Sequence, residues 1–281
     1  MSRYKGYSLL YVNGGSYTAG GGLEDLSLYS DSVVTFYKKK YNVYWDKMKS
    51  CSFAYHLSEL IDIPLINEAE NGGSSQRVVR MTYQFLESFW GVKNRIFIIL
   101  ELPEHVFQTE VYYNSEKSYY MLHYGYGDTP PEAPNYVHKA SPKLDKIDSR
   151  IESQKYIFQE YLERHHNFRE HGKATERAIV GLYSFCKFNN IAIKLMNRVG
   201  TDYLDTMVYK NIFLEQDIIN FSYADGLYSN CNIWEWCKEN KKCIHHEIPE
   251  HSDSMQPGYF GQKEYAEHLK NWLDNNLEAA K

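Results

Sequence analysis

Apolar residues along this chain follow two spacings. Short, largely apolar runs occur at Ser8–Asn13 (SLLYVN), Pro64–Ala69 (PLINEA), Arg95–Leu102 (RIFIILEL) and Ile191–Met196 (IAIKLM). Such runs, bounded by glycine, proline or polar residues, predict strands covered on both faces, as in a parallel sheet. Between them, apolar residues recur at helical spacing. This predicts helices over Phe53–Ile61, closed by Pro64, and over Gln76–Trp90, opened by a cap from Ser74 or Ser75. Further helices fall at Ile147–His171, Ala174–Asn189, Ile233–Glu239 and Gly261–Leu277, and Asn211–Tyr223 offers a short extra element.

Strands and helices therefore alternate. That order predicts a three-layer α/β/α sandwich around a central parallel sheet, flavodoxin-like in arrangement. Residues 103–145 break the alternation with a hairpin-like stretch, TEVYYNSEKSYYMLHYG, and a proline-rich link at Pro130, Pro131, Pro134 and Pro142. We read them as an insertion on one domain spanning residues 1–281. In such sheets the site lies beyond the carboxyl ends of the strands. Three loops meet there, after Asn13, after Ala69 and after Leu102.

Composition narrows the functional classes. The 281 residues are 43% hydrophobic, enough for a sizeable core, and the formal net charge of −5 gives no basic field for a phosphate backbone. Nucleic acid is therefore not an expected partner. No apolar run reaches the length of a membrane span. The first residues lack a secretory cleavage pattern, so synthesis is expected in the cytoplasm. The five cysteines form no disulfide framework and read as reduced thiols. Tyrosine is abundant, at 26 residues, and Tyr112, Tyr113, Tyr119, Tyr120, Tyr124 and Tyr126 cluster in the insertion. These rings fit the half-buried face of a hairpin, or a contact surface for a sugar or a protein partner.

The first loop carries the clearest chemistry. It reads NGGSYTAGGGLED from Asn13 to Asp25. A serine just after a buried strand, among glycines, can present its hydroxyl beside backbone N–H groups, as a nucleophile and its oxyanion require. The loop lacks the Gly-x-Gly-x-x-Gly and Gly-Lys-Ser/Thr registers of nucleotide binders. A plain glycine turn is the competing explanation.

Gly14–Leu23, GGSYTAGGGL, resembles the first block of SGNH (GDSL-like) hydrolases, G-D-S-x-T-x-G-x-G, with Ser16 at the nucleophile and Thr18 at the following threonine. Gly15 replaces the aspartate. Ile66–Ser75, INEAENGGSS, resembles the second block, whose glycine N–H, here of Gly72 or Gly73, would face the oxyanion. The third block, G-x-N-D, falls at Leu102–Val106, which reads LPEHV; its asparagine is absent, and Glu104 or His105 stands near that place. The last block, D-x-x-H-P before a helix, is similar to DSMQPGYFG: Asp253, Pro257 and Gly261 fit, and Gln256 occupies the histidine position. The glycine-rich first block followed by GGSSQRVVR also resembles serine hydrolases of tailed bacteriophages, which would imply a virion-associated role.

The resemblance implies a serine esterase, with a carbohydrate O-deacetylase as the narrower expectation, acting on a small ester or acetylated glycan without metal or organic cofactor. Ser16 and Asp253 would be catalytic. Thr18, Arg77, Glu104 and His105 would contact substrate. Glutamine cannot serve as a base near neutral pH, and loss of the base from such a unit removes several orders of magnitude in rate. His251, two residues before Asp253, is the candidate substitute, since residues two apart in extended chain point the same way. His245, His246 and His105 are further candidates. The opposing reading is an inactive relative kept as a binding or assembly protein.

Other constellations are weaker. Cys231, Cys237, Cys243, His245 and His246 crowd together without the C-x₂₋₄-C spacing of a zinc site, and buried thiols beside solvent-facing histidines explain them as well. Arg77 and Arg80 suit either an anion or a salt bridge. His165 and His166 read as a solvated helix face. Glu101 and Glu104 form a carboxylate pair of the kind glycosidases use, with nothing else in support.

Overall fold

The structure is a computed structural model that describes residues 4–21, 23, 49, 51–70, 73–103, 108–113, 118–123, 136–139, 168–197, 210–219, 233–247 and 256–280. Four parallel strands form the central sheet: β1 (Leu9–Asn13), β2 (Leu65–Asn67), β3 (Ile96–Leu102) and β7 (Ala192–Asn197), in the order β2-β1-β3-β7. The four apolar runs account for these four strands. A separate antiparallel sheet holds β4 (Gln108–Tyr113), β5 (Ser118–His123) and β6 (Tyr136–Lys139). Its first pair is the expected hairpin. Its third strand lies within the stretch read from sequence as a proline-rich link, where Pro134 and Pro142 on either side mask a four-residue strand.

Helices cover both faces of the central sheet. The first is α1 (Ser16–Ala19), a single turn inside what the sequence presents as loop; its glycine content hides so short a helix. Next come α2 (Phe53–Ile61) and α3 (Ser75–Ser88). Ser52 caps α2 and Ser74 caps α3 through their side-chain oxygens. Ser75 is drawn instead onto the carbonyl of Pro103, which settles the choice of cap. Later in the chain lie α4 (Phe168–Phe188), α5 (Ile233–Glu239), α6 (Ile244–Glu247) and α7 (Tyr259–Asn276). α4 runs unbroken through Gly172, where the sequence suggests two helices; one glycine costs only about 1 kcal/mol, and tertiary packing overrides it. Residues 147–167 of the expected earlier helix lie outside the described residues.

Side-chain alternation along the strands separates two cores. Leu10, Val12, Phe97, Ile99 and Met196 face α2 and α7, meeting Phe53, Leu57, Tyr265, Leu269 and Leu273. Tyr11, Ile98, Leu100, Ile193 and Leu195 face α3 and α4, meeting Val78, Leu86, Ile179 and Leu182. The Tyr11 ring stacks on Phe85 at 3.9 Å between centroids. No helix among the described residues is long and apolar enough to cross a membrane.

Two polar ties close the sheet. Lys5 lies just before β1 and donates through Nζ to the carbonyls of Leu273 (3.0 Å), Asp274 (2.7 Å) and Leu277 (2.6 Å), satisfying the last turn of α7. On the outer strand, Lys194 is buried and reaches Asp217 (2.8 Å) and the carbonyl of Asn276 (2.7 Å). Asp217 is brought there by a 3₁₀ turn, Glu215–Asp217, followed by Ile218, which bridges Leu195 in parallel; this is the short element expected within Asn211–Tyr223. Asp217 also accepts from Tyr183 (2.8 Å) and Lys187 (2.7 Å). Burial alone would raise the Asp217 carboxyl, but these donors outweigh it and hold it below its ordinary value. Burial lowers the Lys194 ammonium against the pull of Asp217.

Asp217→Ala strands the Lys194 charge in the interior and is expected to destabilise the protein by about 3–5 kcal/mol, read from the denaturant midpoint. Because the folded-state value is depressed, the stabilisation is complete at neutral pH and fades as pH falls through the acid range. The stability gap between wild type and Asp217→Asn should therefore close below about pH 4, as measured by unfolding at a series of pH values.

Candidate functional site

Strand order reverses at β1: the chain goes from β1 to β2 on one side, then crosses to β3 on the other. Open parallel sheets form a crevice at the carboxyl ends of the strands at such a reversal. Ser16 stands there. It is the first residue of α1, three residues past the end of β1, with Gly15 as the extended cap residue before it, and it is 8% exposed.

The turn that carries Ser16 is held from several elements. From β3, the Glu101 carboxylate oxygen Oε2 accepts the N–H of Gly15 (3.2 Å), the N–H of Thr18 (3.1 Å) and the Thr18 hydroxyl. From the end of β2, Asn67 Nδ2 donates to the Thr18 carbonyl (3.2 Å). From α7, Gln262 Nε2 donates to the Tyr17 carbonyl (3.1 Å), while its Oε1 accepts the N–H of Phe53 at the start of α2 (2.7 Å). From the second glycine loop, the N–H of Glu70 reaches the Gly14 carbonyl (3.2 Å).

Two glycines permit this close packing. A Cβ on Gly14 would lie 2.6 Å from Glu101 Cβ and 2.8 Å from both Glu101 Oε2 and Thr18 Oγ1. A Cβ on Gly73 would lie 2.8 Å from the Gly14 carbonyl oxygen, so the two glycine loops touch backbone to backbone.

Thr18 is fully buried, and its hydroxyl donates to Glu101. Arg77 is buried as well. Its guanidinium pairs with Glu70 (2.7 Å) and donates to the Glu68 carbonyl (2.8 Å) and Asn13 Oδ1 (3.4 Å), tying α3 to the second loop. The N–H of Gly73 donates to the Glu70 carbonyl (2.9 Å). Gln256 lies just ahead of α7. Its carbonyl accepts from Ile244 (2.8 Å), and its side-chain Oε1 is shielded from solvent with no hydrogen bond among the described residues. Gly72, Glu104, His105, His251 and Asp253 lie outside the described residues. Cys237 and Cys243 are buried thiols outside any disulfide, and burial, with Glu247 adding to it, pushes Cys243 up to about 11. His246 is exposed.

Sequence reasoning passed over three residues of this site. In sequence Glu101 stands out only as half of a carboxylate pair. A charged residue inside the run IFIILEL was the available signal, because a fully buried carboxylate requires donors. Gln262 and Asn67 carry no sequence signal, since their roles depend on which elements become neighbours. Elsewhere on α2, His56 sits with its ring edge-on to Tyr259 at the start of α7 (5.5 Å). Burial, then the Lys263 charge, pushes it down to about 4, so it is neutral at pH 7, and its Nε2 makes no hydrogen bond among the described residues.

No family model matches the sequence, and no curated protein matches it. Among solved structures the chain is similar to EstA, a psychrotrophic esterase from Pseudoalteromonas sp. inhibited in that structure by monoethylphosphonate, at 13% identity and a TM-score of 0.36 over 96% of each chain. It is also similar to TesA, at 10% identity and a TM-score of 0.37 over 96% of this chain and 100% of that one.

The contact at Gly14 yields a direct test. Gly14→Ala drives a methyl group into Glu101 and is expected to destabilise the fold by about 1–3 kcal/mol. Gly91→Ala, where an added Cβ meets nothing within 4 Å, serves as the control and should leave the melting temperature nearly unchanged.

Proposed function

We propose that this chain is a serine ester hydrolase of the SGNH type with Ser16 as its nucleophile. The observation that supports this reading is the placement of Ser16 as the first residue of a one-turn helix at the strand-order reversal, on a turn anchored from β2, β3 and α7. Such anchoring fixes a hydroxyl before substrate arrives, which is where positional catalysis originates.

In the proposed reaction, Ser16 Oγ attacks the ester carbonyl as its proton passes to a base. The tetrahedral intermediate collapses, the alcohol leaves with that proton, and water then releases the acid from the acyl-enzyme. We assign the base to His251, oriented by Asp253. The oxyanion donors are the N–H groups of Ser16 and of the second glycine loop. Gly72 is the better candidate there, because the N–H of Gly73 already serves the Glu70 carbonyl. Substrate contacts are assigned to Glu104 and His105 beyond β3. Thr18 and Arg77 shape the site from inside, through Glu101 and Glu70 respectively. The substrate class is a small ester, with an acetylated glycan as the narrower choice.

One observation favours a second reading. Gln256, which cannot take up a proton, stands immediately before Pro257 and α7, where the resembling family has its histidine. On this reading the chain is a binding or assembly protein, with a virion as its setting, that retains the fold without the base.

Hydrolysis of p-nitrophenyl acetate by wild type, Ser16→Ala and His251→Gln distinguishes the two. The hydrolase reading expects wild-type turnover well above background, a loss of roughly 10³-fold or more in Ser16→Ala, and a comparable loss in His251→Gln. Equal background rates in all three proteins would favour the binding reading.

A further inference from the structure

We infer that Glu101 is the positioning residue of the nucleophile turn, holding Ser16 from the neighbouring strand. The inference rests on the hydrolase reading for its catalytic consequence, but the contacts themselves do not depend on it. Glu101 lies on β3, one residue beyond Leu100, which pairs with Asn13 at the end of β1. Its side chain is therefore delivered beside the point where β1 gives way to the turn, and it is fully buried.

One oxygen of this carboxylate collects three donors, and they bracket the nucleophile. The Gly15 N–H immediately precedes Ser16, and the Thr18 N–H and hydroxyl follow two residues later. A rigid turn anchored on both sides of one residue fixes that residue's backbone, and so limits the positions its hydroxyl can take to a few rotamers. The backbone of α1 cannot do this alone, because a single turn has few internal hydrogen bonds and nucleates poorly. A buried carboxylate is costly unless charge-assisted hydrogen bonds compensate it, and the converging N–H groups supply them. Gly14 completes the arrangement, since its lack of a side chain lets the Glu101 stem pack against the turn.

The role makes chemical demands that a spacer would not. Leucine at 101 fills similar volume but leaves two buried N–H groups and a hydroxyl without an acceptor. Glutamine keeps one acceptor oxygen and loses the charge. Glu101→Gln should thus rescue part of what Glu101→Leu removes.

The test compares Glu101→Gln, Glu101→Leu and Thr18→Val with wild type in two measurements. The first is p-nitrophenyl acetate turnover per active site, with sites counted by fluorophosphonate labelling of Ser16. We expect kcat per labelled site to fall by about 10²-fold in Glu101→Leu, and less in Glu101→Gln and Thr18→Val, with KM within about threefold of wild type in each variant. The second is amide hydrogen exchange of the peptide covering residues 9–23, which needs no activity; its protection should drop most in Glu101→Leu and be partly restored in Glu101→Gln. Unchanged kcat per labelled site, or unchanged protection in Glu101→Gln and Thr18→Val, overturns the inference. A wild type that neither turns over ester nor labels defeats the hydrolase reading, and the exchange measurement then still decides whether Glu101 holds the turn. Should Glu101→Leu fail to fold, the other two variants carry the comparison.

Discussion

The central sheet is covered on both faces, so any polar side chain it carries must be satisfied inside the protein. Few are present, and each connects elements distant in sequence. Asn13 receives the Gly14 N–H and the Arg77 guanidinium. Asn67 joins the start of α2 to α1 through Ser52 and Thr18. Glu101 holds the turn after β1, and Lys194 draws Asp217 onto the outer strand. Three of these four lie at or near the carboxyl ends of their strands, which is where the sheet gives way to loops.

The candidate site follows from that distribution. A hydroxyl nucleophile needs a fixed backbone, nearby N–H dipoles and a base. The fixed backbone is supplied from outside the turn: β3 contributes a carboxylate, α7 an amide and β2 another amide. The same helix that supplies Gln262 is preceded by the segment holding Gln256 and Pro257, so the turn and the loop that would carry the base are referred to one element. Glu247 accepts from the N–H groups of Phe260 and Gly261 and so fixes the start of that element.

Much of this architecture can be read along the chain, because it depends on local pattern. Short, largely apolar runs such as IFIILEL correspond to the strands, and Val78, Thr82, Phe85 and Leu86 mark the buried face of α3. The place of Ser16 just past β1 was also legible, since a serine among glycines after an apolar run is a local signature. What stayed hidden is set by strand adjacency. Glu101 can act on Gly15 and Thr18 only because β3 lies beside β1, although 83 residues separate it from Thr18. Arg77 suits either an anion or a salt bridge in sequence, and only the fold of the second loop names Glu70 as its partner. The strand β6 and the joined α4 were missed for the opposite reason: prolines and a glycine gave local signals that tertiary packing outweighed.

The grip of Lys5 on the carboxyl end of α7 bears on how the chain matures during synthesis. Lys5 and β1 leave the ribosome long before their partners at Leu273, Asp274 and Leu277. Gln262, which secures the turn after β1, belongs to the same late helix. A nascent chain can therefore stack its inner strands early, while contacts of such long sequence separation must wait. The turn after β1 gains its contact with Gln262 only when α7 docks, so a growing chain would not display that turn in its final form before α7 has emerged.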